Sequence, residues 1–390
     1  MGEAAIVATA RTPIGTAFKG TLRDVDAHDL AIHTITSVVE RAGLPAEIYD
    51  DVVLGESRYG GGDIARYAAI ESGLVGVAGL AHNRHCASGL ASITTAAAGI
   101  RAGMDRAVIA GGVESTSTSP RFTRRVPGTD DWDDAWSPPS HRSTPDAPNM
   151  DMSITVGWNA AVEAGVTREE MDAWAYRSQQ RAIAAIDAGS FVDEIAPIEV
   201  TLRDGTTTVF AVDEHPRRTT TLEKLAELKP LHPEIEGFSI TAGNACGVND
   251  GGAALALVDG GYATSEGLDV LGVVTAWASA GVTPARTGLA PTVAIPKALD
   301  RAGLSVADVD LWEINEAFAS MCVATTRILG IDEELVNVLG SGCSLGHPVA
   351  MTGSRMVISL VHELRRRGGG TGVAAMCAGG GMSTAVVVRV

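Results

Sequence analysis

What the chain lacks narrows it first. No apolar run reaches the ~18 residues that a membrane span needs. The N-terminus, Met1-Gly2-Glu3-Ala4-Ala5-Ile6, has no basic stretch leading into a long apolar one, so no secretory leader is expected. Position 6 is neither Ser nor Thr, which removes a myristoylation signal, and Val388-Arg389-Val390 is not a peroxisomal address. Aromatic residues are scarce at 4%, against 45 glycines in 390 residues. That mix suits the tight turns and close helix packing of layered α/β folds more than an aromatic-rich β-sandwich. Basic residues are outnumbered, and the net charge of -17 argues against nucleic acid or an anionic membrane as a general partner. Cysteines are few and odd in number: Cys86, Cys246, Cys322, Cys343 and Cys377, none spaced as Cys-x-x-Cys. The pattern argues against a disulfide framework or a structural metal, and for a reducing, cytoplasmic setting.

What is there is a chain long enough for two or three domains, with 45% apolar residues to fill their cores. The stretch Asn83-Arg84-His85-Cys86-Ala87-Ser88-Gly89-Leu90 holds one cysteine just ahead of apolar residues at helical spacing, Leu90, Ile93, Ala97 and Ile100. The spacing predicts a buried helix opening at or just after Cys86. The unpaired N–H groups and positive dipole end of a helix N-terminus favour thiolate, where a nucleophilic cysteine belongs. The alternative is an inert buried thiol beside a small-residue packing contact.

Along the chain, residues 4–10 read as a strand broken by Arg11-Thr12-Pro13-Ile14-Gly15, and Leu30 to Val39 as a helix ending near Gly43. Val52-Val53-Leu54-Gly55 and Ala107-Val108-Ile109-Ala110 read as buried strands, the latter closed by Gly111-Gly112-Val113-Glu114-Ser115. From Ser117 to about Met152 the chain is rich in Pro, Asp and Trp without a period, a length usually tied to function or disorder. Thr167 with Glu170 forms a capping-box pattern for a helix reaching Gly189. Residues 118–245 thus read as an insertion with its own helices.

An internal echo is the most informative pattern. Arg41-Ala42-Gly43-Leu44 and the strand after it recur 260 positions later as Arg301-Ala302-Gly303-Leu304, leading to Leu311-Trp312-Glu313-Ile314. The same offset carries Cys86 to Gly346, beside His347. Gly372 to Gly381 then repeats the apolar-strand-then-glycine order of Ala107 to Gly112. Two related α/β halves follow: residues 1–117 with 246–266, and residues 267–390, the insertion lying in the first. Strands alternating with helices imply mainly parallel pairing. A pseudo-twofold arrangement brings the helix starts at Cys86 and His347 to one site.

Four stretches carry reactive groups at element ends: His85-Cys86, Asn315-Glu316-Ala317-Phe318, Gly346-His347-Pro348, and Cys377-Ala378-Gly379-Gly380-Gly381. Each has an ordinary reading: Asn315 as a helix cap, His347 as a loop residue, Cys377 as a buried strand position. Together they suit acyl transfer better than a zinc site: a thiol with His347 as base, and Cys377 moving a second proton. Glycine N–H groups would meet the oxyanion, and Asn315 would hold a water for it.

These motifs, in this order, resemble those of the thiolases, acyl-CoA C-acyltransferases. Asn83 to Gly89 is similar to the family's nucleophile motif, Gly111 to Ser115 to its Gly-Gly-x-Glu strand end, and Thr241 to Gly251 to the strand returning from its loop domain. The Asn-Glu-Ala-Phe, Gly-His-Pro and Cys-x-Gly motifs follow. The resemblance implies duplicated α/β halves layered α-β-α-β-α, with the loop domain at residues 118–245 binding CoA. It implies Cys86 as nucleophile, His347 as its activator, Asn315 as anchor of a water, Cys377 as the second acid–base, and the N–H groups of Cys86 and Gly379 as an oxyanion hole. It also implies CoA contacts at Arg217, Ala242, Cys246 and Phe318, an acyl contact at Met152, CoA as cosubstrate with no resident cofactor or metal, a role in lipid metabolism, and a homodimer or homotetramer. Arg218 and Lys224 are candidates for phosphate or plain surface; Arg121, Arg124 and Arg125 read as a salt-bridged surface before a ligand site.

Two positions depart from the family. Cys246 stands where many thiolases have a Ser that meets the pantetheine. Asp151-Met152-Ser153 stands where short-chain members have His-Met-Gly, after an unusual loop with Trp132 and Trp136. Both point away from a plain acetoacetyl-CoA specificity. Competing readings are a ketosynthase, which Cys377 disfavours, a cysteine hydrolase, and a non-catalytic binding protein on the same scaffold.

Overall fold

A computed structural model describes residues 2–59 and 62–390; Met1, the first residue of the N-terminal stretch read above, lies outside them. Nine strands form one continuous path: β1 (Ala4–Arg11), β2 (Asp51–Gly55), β3 (Ala78–His82), β4 (Ala107–Ser115), β5 (Asn249–Asp259), β6 (Gly272–Gly281), β7 (Leu311–Ile314), β8 (Thr371–Ala378) and β9 (Met382–Arg389). The order is β7-β8-β9-β6-β1-β5-β4-β2-β3, with a short Gly15–Thr16 strand beside β5. β3, β2, β4, β5 and β1 belong to the first half and β7, β8, β9 and β6 to the second; they join where Ala4–Ile6 meets Gly272–Val274.

The duplication lies in the local geometry. Helix α1 (Ala27–Ala42) ends at Gly43 with φ 63°, and the equivalent late helix Pro291–Ala302 ends at Gly303 with φ 71°. Only a residue without a Cβ takes that left-handed cap cheaply. A short 3-10 turn follows each, Ala46–Ile48 and Val306–Asp308, and then β2 or β7.

The expected mainly parallel pairing is corrected. β7/β8, β2/β4 and β2/β3 are parallel, but β8/β9, β9/β6, β6/β1, β1/β5 and β5/β4 are antiparallel. Parallel neighbours need a crossover segment, whereas β8 and β9 are joined by the three-residue turn at residues 379–381. Nor do Gly111 and Gly112 close a strand: β4 runs on through them to Ser115. They are glycine because a Cβ would collide with the Ala253 and Ala350 carbonyl oxygens.

Side chains alternate along the sheet, as period 2 dictates. In the first half Ala5, Val52, Leu54, Ala107 and Ile109 share an outer core with α1 and α2 (Ile64–Glu71). Val53, Val108, Ala110, Met376 and Val386 face an inner core built on α3 (Ser88–Arg101) and a late helix, Thr352–Arg366. Ala276, Trp312, Ala375 and Val387 face a third core with Pro291–Ala302 and Ala319–Leu329. The result is five layers, helix, sheet, helix, sheet, helix. The insertion carries α4 (Arg168–Asp187), opened by the Thr167/Glu170 capping box. In chain order the longer helices that follow are α5 (Pro291–Ala302), α6 (Ala319–Leu329) and α7 (Thr352–Arg366). Arg11, fully buried, binds Glu194 at 2.7 Å and Asp213 at 2.8 Å, tying the end of β1 to the insertion. Among the described residues no helix is long and apolar enough to cross a membrane.

Candidate active site

The two inner helices meet at their starts. A Cβ on Gly89 of α3 would come within 2.7 Å of the Ser354 N–H, and one on Gly353 of α7 within 2.5 Å of the Leu90 N–H. This contact needs bare backbone on both sides. It sets the segments preceding the helices, with Cys86 and His347, at the same end of the central layer.

The turn before α3 is held by its own polar side chains. Asn83 Oδ1 accepts from the His85 N–H at 2.7 Å, and Ser88 Oγ donates to the His85 carbonyl at 2.7 Å. His85 takes φ 47°, a left-handed conformation that costs a non-glycine residue about 1–2 kcal/mol. The helix itself starts at Ser88, after Cys86.

Cys86 keeps some exposed surface, but its sulfur is enclosed by protein. Burial pushes the thiol up to about 11, against the pull of the Gly379 N–H and of its own N–H. The expectation of a thiolate favoured by the helix start is therefore corrected: desolvation outweighs the N–H groups. Cys377, at the end of β8, lies close enough to Cys86 to feel a charge there, and burial raises it well above the usual thiol range. Its sulfur rests 3.6 Å from Met321 Sδ. Cys246 adjoins both thiols, and burial with the proximity of Cys86 raises it to about 12.

His347 is held neutral: burial, with a smaller push from Arg355, lowers it to about 3. Its tautomer follows from its partners. The Thr352 hydroxyl donates to the Pro348 carbonyl at 2.7 Å, so toward His347 Nδ1, also at 2.7 Å, it can only accept. Nδ1 therefore carries the proton, and Nε2 presents a lone pair to Asn315 Nδ2 at 3.4 Å. The other end of that amide, Oδ1, is buried with no partner among the described residues. Asn315 is not a helix cap, since α6 starts at Ala319 with Phe318 before it.

Behind these groups lies Glu316, whose carboxylate accepts from Trp174 Nε1 (2.9 Å), Ser178 Oγ (2.6 Å), Asn337 Nδ2 (2.9 Å) and the Cys343 N–H (3.0 Å). Glu114 takes the Ser57 hydroxyl and the Ala350 N–H at 3.3 Å, and burial pushes it up to about 7. Thr352 escaped the sequence reading, and Glu114 and Asn249, whose Oδ1 accepts from the His347 N–H at 2.9 Å, were quoted there only inside motifs and given no role. Asn249-Asp250 at the head of an apolar strand was the available signal.

Gly379 differs from its neighbours. Gly380 and Gly381 have φ of 82° and 79°, and a Cβ would press on the Ser140 and Val282 carbonyls. A Cβ on Gly379 would lie 3.6 Å from both His85 Cγ and Ser140 Cβ, ordinary contact, with no left-handed φ. Neither backbone nor packing requires glycine there. The space opens beside the N–H that lowers the Cys86 thiol's pKa.

The expected CoA residues fall into two groups. Arg217 and Ala242 line one cleft with Gln179, His215, Ala245 and Gly247. Ala245 and Gly247 bracket Cys246, whose N–H bonds the Ala317 carbonyl at 3.0 Å, and Ala245 pairs with Phe318. Met152 packs on the core that contains Phe318 and Cys377. Arg218 is engaged by Asp187 and Lys224 by the Thr219 carbonyl. Arg124 stacks 5.0 Å over Trp136, and among the described residues neither Arg121, Arg124 nor Arg125 has an ion-pair partner, which corrects the salt-bridged surface. A cavity of about 430 Å³, lined by Glu47, Asp50, Asp105 and Asp259, lies at the far ends of β2 and β4 from the thiols. No cluster of metal-ligating side chains occurs among the described residues.

The comparisons agree with this geometry. Residues 4–260 match the family description "Thiolase, N-terminal domain" and residues 268–390 match "Thiolase, C-terminal domain". An acetyl-CoA acetyltransferase of Pseudomonas aeruginosa is 41% identical, covering 100% of this chain and 99% of its own. A 3-ketoacyl-CoA thiolase of Bacillus subtilis is 39% identical, with 99% of each chain covered. The crystal structure of human mitochondrial 3-ketoacyl-CoA thiolase superimposes with a TM-score of 0.90 at 36% identity, over 100% of this chain and 98% of that one. The same human protein in complex with CoA gives 0.89 at 36% identity, with the same coverage.

Proposed function

The chain belongs to the thiolase family, and on that premise we propose that it exchanges acyl groups between CoA thioesters through an acyl intermediate on Cys86. The reaction is thiolysis of a 3-oxoacyl-CoA by CoA, or its reverse, a Claisen condensation. One observation carries the assignment of roles: the Cys86 and Cys377 thiols, from opposite halves of the chain, lie close enough for a charge on Cys86 to be felt at Cys377, and the Gly379 N–H favours the Cys86 thiolate.

The protonation states fit a concerted start. A neutral thiol and a neutral imidazole with an unprotonated Nε2 pass a proton as the sulfur attacks the keto carbon. The charge arriving on the keto oxygen is met by the N–H groups of Cys86 and Gly379. The bond to the neighbouring carbon then breaks. The carbanion so formed takes a proton from Cys377 and leaves as acetyl-CoA, its thioester oxygen steadied by protonated His347 and by a water on Asn315, whose buried, unpartnered Oδ1 suits that task. Incoming CoA gives its thiol proton to the Cys377 thiolate and takes the acyl group, and the departing Cys86 sulfur takes its proton back from His347. In the reverse direction Cys377 removes the proton from the second acetyl-CoA. The insertion at residues 118–245 holds CoA, with Arg217 and Ala242 at the outer cleft and Cys246 and Phe318 toward the thiols.

The test is a panel of 3-oxoacyl-CoA substrates with free CoA, reading acetyl-CoA release. Turnover that Cys86→Ser abolishes supports the reading. Near-normal thiolysis by that variant contradicts it, as does release of free acid without added CoA.

A further inference from the structure

Glu114 stands near the end of β4, fully buried, between the two segments that carry the reactive groups. One set of bonds leads to the nucleophile. Glu114 Oε2 accepts from the Ser57 hydroxyl, the Ser57 carbonyl accepts from Asn83 Nδ2 at 3.1 Å, and Asn83 Oδ1 accepts from the His85 N–H at 2.7 Å, one residue before Cys86. The other leads to the imidazole: the same Oε2 accepts from the Ala350 N–H at 3.3 Å, three residues after His347. The Ala350 carbonyl oxygen would stand 2.0 Å from a Cβ on Gly112 and 2.8 Å from one on Gly89, so it lies against bare backbone of β4 and α3. Glu114 thus joins the Cys86 turn, in the first half, to the His347 loop, in the second.

The two carboxyl oxygens are used unequally. Oε2 takes both donors, while Oε1 is buried with no partner among the described residues. A neutral acid suits that pattern, its carbonyl oxygen accepting and its hydroxyl oxygen receiving nothing; a carboxylate would leave buried charge bare. The surrounding groups do not cancel such a charge. On the segment after β2, Arg58 favours it, Glu56 opposes it and Tyr59 feels it. On β5 the Asp250 carboxylate is taken by Ser117, and His347 is held neutral by burial. A charge on Glu114 works against one on Cys86.

We propose that Glu114 is a positioning residue for acylation: as a neutral acid it holds the Cys86 turn and the His347 loop together, and its ionisation disables attack by the Cys86 sulfur. The proposal rests on the acyl-Cys86 reading and adds a controlling group to that site. Glu114 neither gives a proton to the reacting atoms nor takes one from them. Negative charge gathers on the sulfur and the carbonyl oxygen during attack, and an ionised carboxyl nearby raises the energy of that state. Burial raises Glu114 to about 7, so acylation should weaken as pH rises past neutrality.

The test follows the burst of CoA release from acetyl-CoA and from hexanoyl-CoA by the full chain at pH 6 and pH 8, with a thermal melt and the acyl mass on Cys86 at each pH. The parent burst rate should fall about tenfold from pH 6 to pH 8 while the fold holds, the response to one ionisation between them. Glu114→Gln, whose amide oxygen still accepts from Ser57 and Ala350 and never ionises, should give rates at the two pH values within about threefold of each other. Glu114→Asp, one methylene short of both donors, should be about tenfold or more slower than the parent at pH 6. A parent burst equal at both pH values, or a Glu114→Gln burst that falls as the parent's does, overturns the proposal and leaves the acyl-Cys86 reading standing. Should the variants fail to fold, the parent profile still decides. If neither acyl-CoA places a mass on Cys86 of the parent at either pH, the acyl-Cys86 reading falls and the proposal with it.

Discussion

Replacing Gly379 by Ala separates a glycine kept for the fold from one kept for the reaction. The added methyl meets His85 Cγ and Ser140 Cβ at 3.6 Å and His85 Cδ2 at 3.8 Å, and the backbone is not left-handed. Packing therefore absorbs it. Fewer unfolded conformations favour the variant by about 0.4–1 kcal/mol, so Tm should hold within a few degrees, at about 2–4 °C per kcal/mol or less for a chain this long. The same methyl enters the space beside the N–H at the Cys86 sulfur. A displacement of the reacting carbonyl by ~1 Å costs roughly a hundredfold in rate. The neighbouring change, Gly380→Ala, imposes a side chain at φ 82° with the Ser140 carbonyl oxygen 2.9 Å from the new Cβ; it should lose about 1–2 kcal/mol of stability. Thermal melts and thiolysis rates on the two variants read both effects. A Gly379→Ala protein with parental kcat/KM, or one that fails to fold, would refute the reasoning.

Three further outcomes follow from the buried contacts. Thr352→Val leaves the His347 Nδ1–H without its acceptor and releases the tautomer, so kcat should fall at least about tenfold with KM little changed; parental kcat would count against the assigned proton position. Glu316→Ala strands four buried donors, Trp174, Ser178, Asn337 and Cys343, and should cost about 3–5 kcal/mol in urea unfolding; a loss under about 1 kcal/mol would mean the cluster does not brace the site. Glu114 has its folded-state pKa raised by burial from 4.5 to about 7. Its folded form therefore binds more protons than the unfolded chain across that window, and its contribution to stability falls as pH rises through it. At about 1.4 kcal/mol per pH unit the full effect is about 3 kcal/mol. Glu114→Gln should be more stable than the parent at pH 8 and lose that advantage toward pH 5; a difference independent of pH would contradict the linkage.

The duplication was readable because it is written in local geometry. Gly43 and Gly303 each end a helix in the left-handed region, and each is followed by the same 3-10 turn and strand. Strand direction was not, because a repeat of strand and helix does not say which strands become neighbours. β5 and β9 enter the sheet without a crossover helix, and both pair antiparallel. The charge state of Cys86 was misjudged for a related reason: the helix start is encoded within a few residues, while the core that buries the thiol is built largely from residues far away in the chain, Met351, Met376 and Ala378 among them. Thr352 lies five residues beyond His347 and looks like any hydroxyl in a helix start until its bond to Pro348 fixes its direction. His85 was quoted only as part of a motif. Its left-handed backbone is held by Asn83 and Ser88 within the same turn, a conformation the motif alone does not announce.

The most direct measurement of the central claim is peptide mass mapping after incubation with a 3-oxoacyl-CoA for the parent and with a simple acyl-CoA for both the parent and Cys377→Ala, quenched before CoA is added. The account predicts an acyl mass on the peptide containing Cys86, formed from an acyl-CoA donor even in Cys377→Ala, which should nonetheless fail to make or break the carbon–carbon bond. An acyl mass on Cys246 or Cys377 with Cys86 unmodified would contradict it.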